Sequence, residues 1–97
     1  MRPLSQVKFG SYEGTGAAVS IACKFKPVLV FVLNEEDGDV WWLHVRGMTD
    51  AYALQNTNHA DTQNSVLSSN GITLTANGFT AGTSLSESGK TFRYIAI

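Results

Sequence analysis

The chain is poor in the residues that do chemistry. It has one cysteine, two histidines and two prolines, and charged side chains make up only 15% of it. Cys23 therefore has no partner for an internal disulfide and no Cys/His company of the kind that holds zinc. Stability must come from packing or from other subunits, and Cys23 reads as a small apolar residue on a strand. Seven basic residues against eight acidic ones give a formal net charge of −1. That balance offers neither a basic footprint for nucleic acid nor an acidic tail. Long apolar runs are missing too: the longest, Val28 to Leu33, is six residues, where a membrane-spanning helix needs about 20. The opening "MRPLSQVKFG" has neither the apolar stretch nor the small-residue cleavage site of a signal peptide. The expectation is a soluble protein made in the cytoplasm, with no membrane and no nucleic-acid partner.

Catalytic groups are equally sparse. His44 and His59 lie fifteen residues apart with no H-x-x-E or H-x-x-x-H arrangement, so no spacing nominates a metal site or a nucleophile with its base. The acidic run Glu35-Glu36-Asp37-Gly38-Asp39 lacks the alternating carboxylates and the distant glutamate of a calcium loop; it reads as a solvated hairpin turn. Gly14-Thr15-Gly16-Ala17-Ala18-Val19 comes close to the G-x-G-x-x-G/A turn that cradles a dinucleotide, and Glu35 and Glu36 lie about 20 residues further on, where an acidic residue would hold a ribose. The residues after Gly16, however, alternate as a strand through Phe25 and then meet Pro27. Without a helix N-terminus there is no dipole for phosphate, so Gly14 and Gly16 are assigned to backbone turning. No catalytic residue, metal ligand or cofactor is expected, and the chain reads as not an enzyme.

What the sequence does have is period-two alternation cut by Gly, Asn, Asp and Ser clusters, the pattern of short antiparallel strands and turns. In Val19 to Lys26, apolar Val19, Ile21, Cys23 and Phe25 alternate with Ser20, Ala22, Lys24 and Lys26 to give one core face and one wet face. Val28 to Leu33 is apolar at every position, so that strand expects cover on both faces. "NEEDGD", Asn34 to Asp39, joins it to Val40 through Val45, and Asp37-Gly38 is a preferred tight-turn pair. On that second arm Trp41, Leu43 and Val45 are assigned to the core face, with Val40, Trp42 and His44 on the other. Arg46 to Ser69 reads as a long loop holding one short strand. Asn77-Gly78 marks a hairpin between Ile72-Thr73-Leu74-Thr75 and Phe79-Thr80-Ala81, Gly82 to Lys90 is a loop, and "TFRYIAI" is a last strand. Together these predict an all-β domain, an antiparallel sandwich or small barrel of about six to eight short strands over residues 8–97, preceded by an extended arm over residues 1–7.

Trp42, placed outside the core by strand parity, joins the doubly apolar Val28 to Leu33 and a nearly uncharged surface in pointing to a buried contact between molecules, where tryptophan is enriched and charge depleted. The competing reading folds the long loop over that face. Trp41, Trp42, Tyr52, Phe79 and Tyr94 are explained mainly as core, with an aromatic sugar-binding platform as the alternative. The arm cannot fold alone, and Pro3 disfavours helix there. Arg2, Pro3 and Leu4 of the arm, with Trp42 and Tyr52, are the candidate interface residues.

The order of these motifs resembles a small β-rich domain of bacteriophage virion proteins, found in head decoration (cement) proteins and in tail-fibre or appendage proteins. The matching elements are Gly10-Ser11-Tyr12-Glu13-Gly14-Thr15-Gly16, Phe25-Lys26-Pro27 before the apolar strand, Trp41-Trp42, Arg46-Gly47-Met48, Asn64-Ser65, Gly78-Phe79-Thr80-Ala81-Gly82-Thr83, and Ser88 through Ile97. Ala81 and Phe92 stand where the pattern has a larger aliphatic residue and a tyrosine. The resemblance implies a structural protein of the virion with no catalytic residue. The shortness of the chain narrows this to a capsid decoration protein that binds and stabilises the head shell. Its implied partners are the major capsid protein or other virion proteins and further copies of itself, a trimer among the closed clusters that suit it. The alternative is a receptor- or glycan-binding module of a tail fibre or appendage.

Overall fold

The computed structural model describes residues 6–36, 40–56 and 64–97. Among them nine strands form: β1 Lys8–Glu13, β2 Val19–Ala22, β3 Leu29–Asn34, β4 Trp41–Val45, β5 Ala53–Asn56, β6 Asn64–Leu67, β7 Ile72–Thr75, β8 Gly78–Ala81 and β9 Thr91–Ala96. A short 3₁₀ turn, Thr83–Leu85, precedes β9. The large sheet has the order β1-β9-β3-β4-β5-β6 and the small sheet the order β2-β8-β7. Every pairing of these strands is antiparallel. The expected all-β sandwich is what forms. Its last strand lies between β1 and β3, which ties the C-terminal residues into the sheet.

The alternation along each strand decides what goes inside. In β3, Val30, Val32 and Asn34 are buried while Leu29, Phe31 and Leu33 are half-buried. In β9, Phe92, Tyr94 and Ala96 are buried. Val30, Val32, Phe92, Tyr94 and Ala96 meet Ile72, Phe79, Ala81 and Leu85 from the small sheet and the 3₁₀ turn in one apolar cluster. One aromatic pair joins the two layers, Phe79 of β8 meeting Tyr94 of β9 edge-on at 5.3 Å, while on the inner face of the large sheet Phe92 stacks on Tyr12 at 5.3 Å and tilts against Trp42 at 6.0 Å. Such pairs add about 0.5–1.5 kcal/mol each beyond the area they bury. Asn34 is tolerated in this layer because its Oδ1 accepts the Glu36 N–H at 3.1 Å.

Three local details differ from the sequence expectation. Strand β2 stops at Ala22, because Lys24 adopts φ 71° and the N–H groups of Cys23 and Lys24 both donate to the Asn77 carbonyl. The alternation nonetheless continues through Phe25, with Val19, Ile21, Cys23 and Phe25 wholly or partly buried and the residues between them exposed. The stretch read as a long loop contains two strands, β5 and β6, paired with each other and joined to the large sheet through β4. An edge hairpin with one wet side needs few apolar residues, which is why its sequence reads as loop. Gly78 does not serve the turn, for it opens β8. A Cβ there would stand 1.9 Å from the Ile21 carbonyl oxygen, so glycine allows β2 to approach β8.

Arg46 fastens the entry to β3. Its guanidinium donates to the carbonyls of Lys26 and Pro27, the latter at 3.1 Å, while its backbone N–H donates to Val28 at 2.7 Å.

Candidate interaction surface

Three strands cannot cover both faces of a sheet of six. The small sheet covers the inner face of the large one, and the outer face carries a continuous apolar row. The registers pair Phe9 with Ile95, Ile95 with Phe31, Phe31 with Leu43, Leu43 with Leu54 and Leu54 with Val66. One apolar residue from each strand of the sheet thus lines up from edge to edge. Phe9 at one edge is 71% exposed, Leu54 41% and Val66 at the other edge 58%, and the three between are half-buried. Leu33 pairs with Trp41 on one side of the row and Leu29 with exposed Val45 on the other.

The face is not flat. Phe31 and Trp41 lie 5.8 Å apart and form a central wall. On one side a groove of about 400 Å³ is lined by Phe9, Phe31, Leu33, Arg93 and Ile95; on the other, one of about 290 Å³ is lined by Trp41, Leu54, Gln55, Ser65 and Val66. Among the described outward-pointing residues of the strands, Glu13 and Arg93 alone carry charge. The Arg93 guanidinium is bonded to the Glu35 carboxylate, and Glu36 accepts the Thr91 N–H at 2.8 Å. Charge is thereby gathered toward one end, leaving an apolar centre with a polar rim, the anatomy of a protein contact.

The assignment of faces on β4 is corrected. Trp42 is only 4% exposed and belongs to the core, so it is not an interface residue, whereas Trp41, Leu43 and Val45 point outward. The alternation is legible, but both faces of this strand are apolar and polarity cannot choose between them. Two hydrogen bonds make the inner placement workable: the Trp42 indole N–H donates to Gln55 Oε1 at 3.3 Å, and His44 lies 2.7 Å by Nδ1 from the Tyr52 carbonyl. A carbonyl only accepts, so Nδ1 carries the proton. Tyr52 is half-buried, and its carbonyl is engaged by His44 and by the Ile72 N–H. Arg2, Pro3 and Leu4 lie outside the described residues. The outer row as a whole, Phe9 through Val66, escapes the sequence reading. Its signal is present in the uninterrupted Val28 to Leu33 run and in Trp41, Leu43 and Val45 across the hairpin.

The remaining candidates resolve into structure. The glycine-rich loop has its donors occupied: the N–H groups of Gly14, Thr15, Gly16 and Ala17 donate to Lys90 O, Ser86 Oγ, Ser86 O and Thr15 Oγ1. A Cβ on Gly14 would stand 2.0 Å from the Glu87 carbonyl oxygen, and Gly16 has φ 84°. These glycines serve close packing and turning. Cys23 is 5% exposed, and burial pushes its thiol pKa up against a smaller lowering by Lys8. His44 is in the core, while His59 and Asp37-Gly38-Asp39 lie outside the described residues. Of the five aromatic residues considered for a sugar platform, Trp42, Phe79 and Tyr94 are buried apart from the outer face, so no such platform is assembled. Among the described residues no group of three or more His, Cys, Asp or Glu is placed to hold a metal ion, and no buried side-chain nitrogen or oxygen lacks a hydrogen-bond partner. No helix among them is long and apolar enough to cross a membrane.

Residues 5–97 match a domain of unknown function, DUF7483. No curated protein and no solved structure matches the chain.

Proposed function

Since the chain belongs to the DUF7483 family over nearly its whole length, we propose from its geometry that it is a structural protein working by contact with other proteins. Within that reading it is a bacteriophage virion protein, and a capsid decoration protein of the head shell. The observation that carries the contact role is the apolar row from Phe9 to Val66 on an uncovered sheet face. Water-exposed Phe9, Leu54 and Val66 in one line form a contiguous patch rather than scattered apolar side chains, and such patches mark interaction sites. The virion assignment is supported by the order of sequence motifs, from Gly10-Ser11-Tyr12 through the closing strand.

The test is to purify particles of the phage that encodes the chain and count copies by quantitative mass spectrometry. Decoration of the shell requires a copy number that scales with the major capsid protein. A few copies confined to the tail would replace decoration with an appendage role, and absence from the particle would end the virion reading.

One observation favours a second reading, glycan binding by a tail module. Trp41 presents its ring to an open groove on the outer face, an aromatic surface that a sugar ring can cover; Gln55 and Ser65 also border the groove but belong to the inward register of Trp42. Those polar groups are already paired, however, Gln55 accepting from Trp42 and donating to Ser65 at 3.1 Å. Glycan-array binding that Trp41→Ala abolishes, with the fold retained, would favour it over shell decoration.

A further inference from the structure

We propose that the end of the sandwich carrying Lys8, Lys24, Lys26 and Arg46 binds the opposite, acidic end of a second copy of this chain, so that copies join head to tail. The contact is separate from the outer apolar face and goes beyond the reading of that face.

The balanced composition conceals a segregation of charge that the fold brings out. Strand β1 runs from Lys8, paired with Ala96, to Glu13, paired with Thr91, which sets these two charges about 17 Å apart along the strand. At the Lys8 end, the β2–β3 connection supplies Lys24 and Lys26, and the residue after β4 is Arg46. Contacts draw the four together. The Lys8 charge is close enough to act on the Cys23 thiol, next in sequence to Lys24, and the Arg46 guanidinium donates to the carbonyls of Lys26 and Pro27. At the Glu13 end, the Glu35 N–H donates to the Thr91 carbonyl and the Glu36 carboxylate accepts the Thr91 N–H, while Glu87 lies in the loop packed against Gly14. All eight residues are exposed.

The remaining described charges do not cancel this pattern. At the basic end Asp50, in the β4–β5 connection, is one carboxylate against four cations; at the acidic end Lys90 and Arg93 are two cations against four carboxylates. Each end therefore repels its own kind and attracts the other, and juxtaposed like charges select against wrong partners. A contact between unlike ends is heterologous: it leaves one free end of each kind, so association runs past two chains until it closes on itself or continues as a filament.

A second copy fits the basic end better than a nucleic acid does. The Arg46 fork is already engaged by two carbonyls, and Phe25, the aromatic residue between the two lysines, is half-buried, whereas single strands are held by aromatic faces on which bases stack. Exposed ion pairs are individually weak, so the contact is weak and concentration-dependent. It acts between copies gathered on a larger assembly, where effective concentration is high, a role that rests on the contact-protein reading above.

The test is sedimentation equilibrium of the full chain up to millimolar concentration in about 10 mM and about 500 mM salt, between which the screening length falls from about 30 Å to under about 10 Å. In low salt the wild-type mass should rise past two chains, and in high salt the association constant should fall at least about 10-fold. Lys24→Gln/Lys26→Gln and Glu13→Gln/Glu87→Gln each blunt one end at exposed positions, and circular dichroism checks that both fold. Each double variant alone should stay at one chain. Their equal mixture should stop at two, because the intact acidic end of the first meets the intact basic end of the second. A wild type that remains one chain in low salt overturns the inference, as does either double variant associating like the wild type or a mixture that stays at one chain. Association that salt leaves unchanged also overturns it and assigns the contact to the apolar outer face. A wild type that stays one chain while retaining a DNA duplex gives the basic end to nucleic acid instead. The copy count in purified particles is independent of all these outcomes, so the contact-protein reading stands or falls separately.

Discussion

Trp41 and Trp42 are adjacent in sequence and face opposite ways across β4. Trp42, 4% exposed, has its ring 6.0 Å from that of Phe92 in the core, and Trp41 has its ring 5.8 Å from that of Phe31 on the outer face. Removing the two side chains should therefore have unequal effects. Trp42→Ala leaves a cavity between the Phe92 ring and the Gln55 amide and should cost about 3–5 kcal/mol. Trp41→Ala, on a face open to water, should cost about 1 kcal/mol or less. Urea unfolding followed by circular dichroism measures both, and equal losses would refute the assignment of faces.

The same pair shows how far the fold is legible in the sequence. Period-two alternation locates the strands because successive side chains must point to opposite faces, and it holds from Val19 to Phe25 even where the backbone leaves the ladder at Lys24. The β3–β4 and β7–β8 hairpins follow from their flanking apolar runs. Alternation gives a strand two faces without saying which is inside. Where one face is polar the choice is automatic, but β4 offers tryptophan to both. The inner side is settled by distant groups: the Gln55 amide for Trp42, and for His44 a backbone carbonyl at Tyr52 whose direction no side-chain pattern encodes. The β5–β6 hairpin is hidden for a related reason. Its inward residues include Ala53 and its outward ones Leu54 and Val66, too few and too spaced to stand out among Asn, Thr and Ser.

Gly78 provides a test of backbone packing separate from side-chain burial. Because an added Cβ would stand 1.9 Å from the Ile21 carbonyl oxygen and 3.1 Å from the Cys23 nitrogen, Gly78→Ala must push β2 away from β8. Both near atoms are main chain, so no rotamer change relieves the clash. Overpacking of this kind costs about 1–3 kcal/mol. Gly47→Ala is the control, since a Cβ there meets nothing within 4 Å and pays only for φ 105°, about 1 kcal/mol. The expected order of urea midpoints is wild type, Gly47→Ala, Gly78→Ala, and a Gly78→Ala protein as stable as wild type would show that β2 does not pack as described.

Cys23 should be chemically silent in the folded chain. It is 5% exposed, and desolvation raises its thiol pKa despite the nearby positive charge of Lys8. Reaction with a disulfide reagent needs both access and thiolate. At mildly alkaline pH the native protein should react on the order of 100-fold more slowly than the urea-unfolded chain, a rate read by absorbance. Matching rates in the two states would mean that the thiol is open to solvent.

Tyr12 links burial to the behaviour of the fold in alkali. Its ring stacks on Phe92 at 5.3 Å and its O–H donates to the Leu85 carbonyl at 2.9 Å, and burial pushes its pKa well above the ordinary 10.0. Burial also raises the pKa of Tyr94, with a smaller contribution from Cys23. Below pH 10 both phenols are neutral in the folded and unfolded chains alike and do not affect the balance. Above it the unfolded chain gives up these protons while the folded chain keeps them, so the unfolded state binds fewer protons and stability falls as pH rises. Each such tyrosine removes up to about 1.4 kcal/mol per pH unit until its folded-state pKa is reached. Tyr12→Phe should lose about 1 kcal/mol at neutral pH with the Leu85 hydrogen bond, yet decline less steeply in alkali because one of the two buried phenols is gone. Urea midpoints of both proteins between about pH 8 and about pH 11 measure the two slopes. If the curves run parallel throughout, Tyr12 ionises as readily folded as unfolded, and its place between Phe92 and the 3₁₀ turn is wrong.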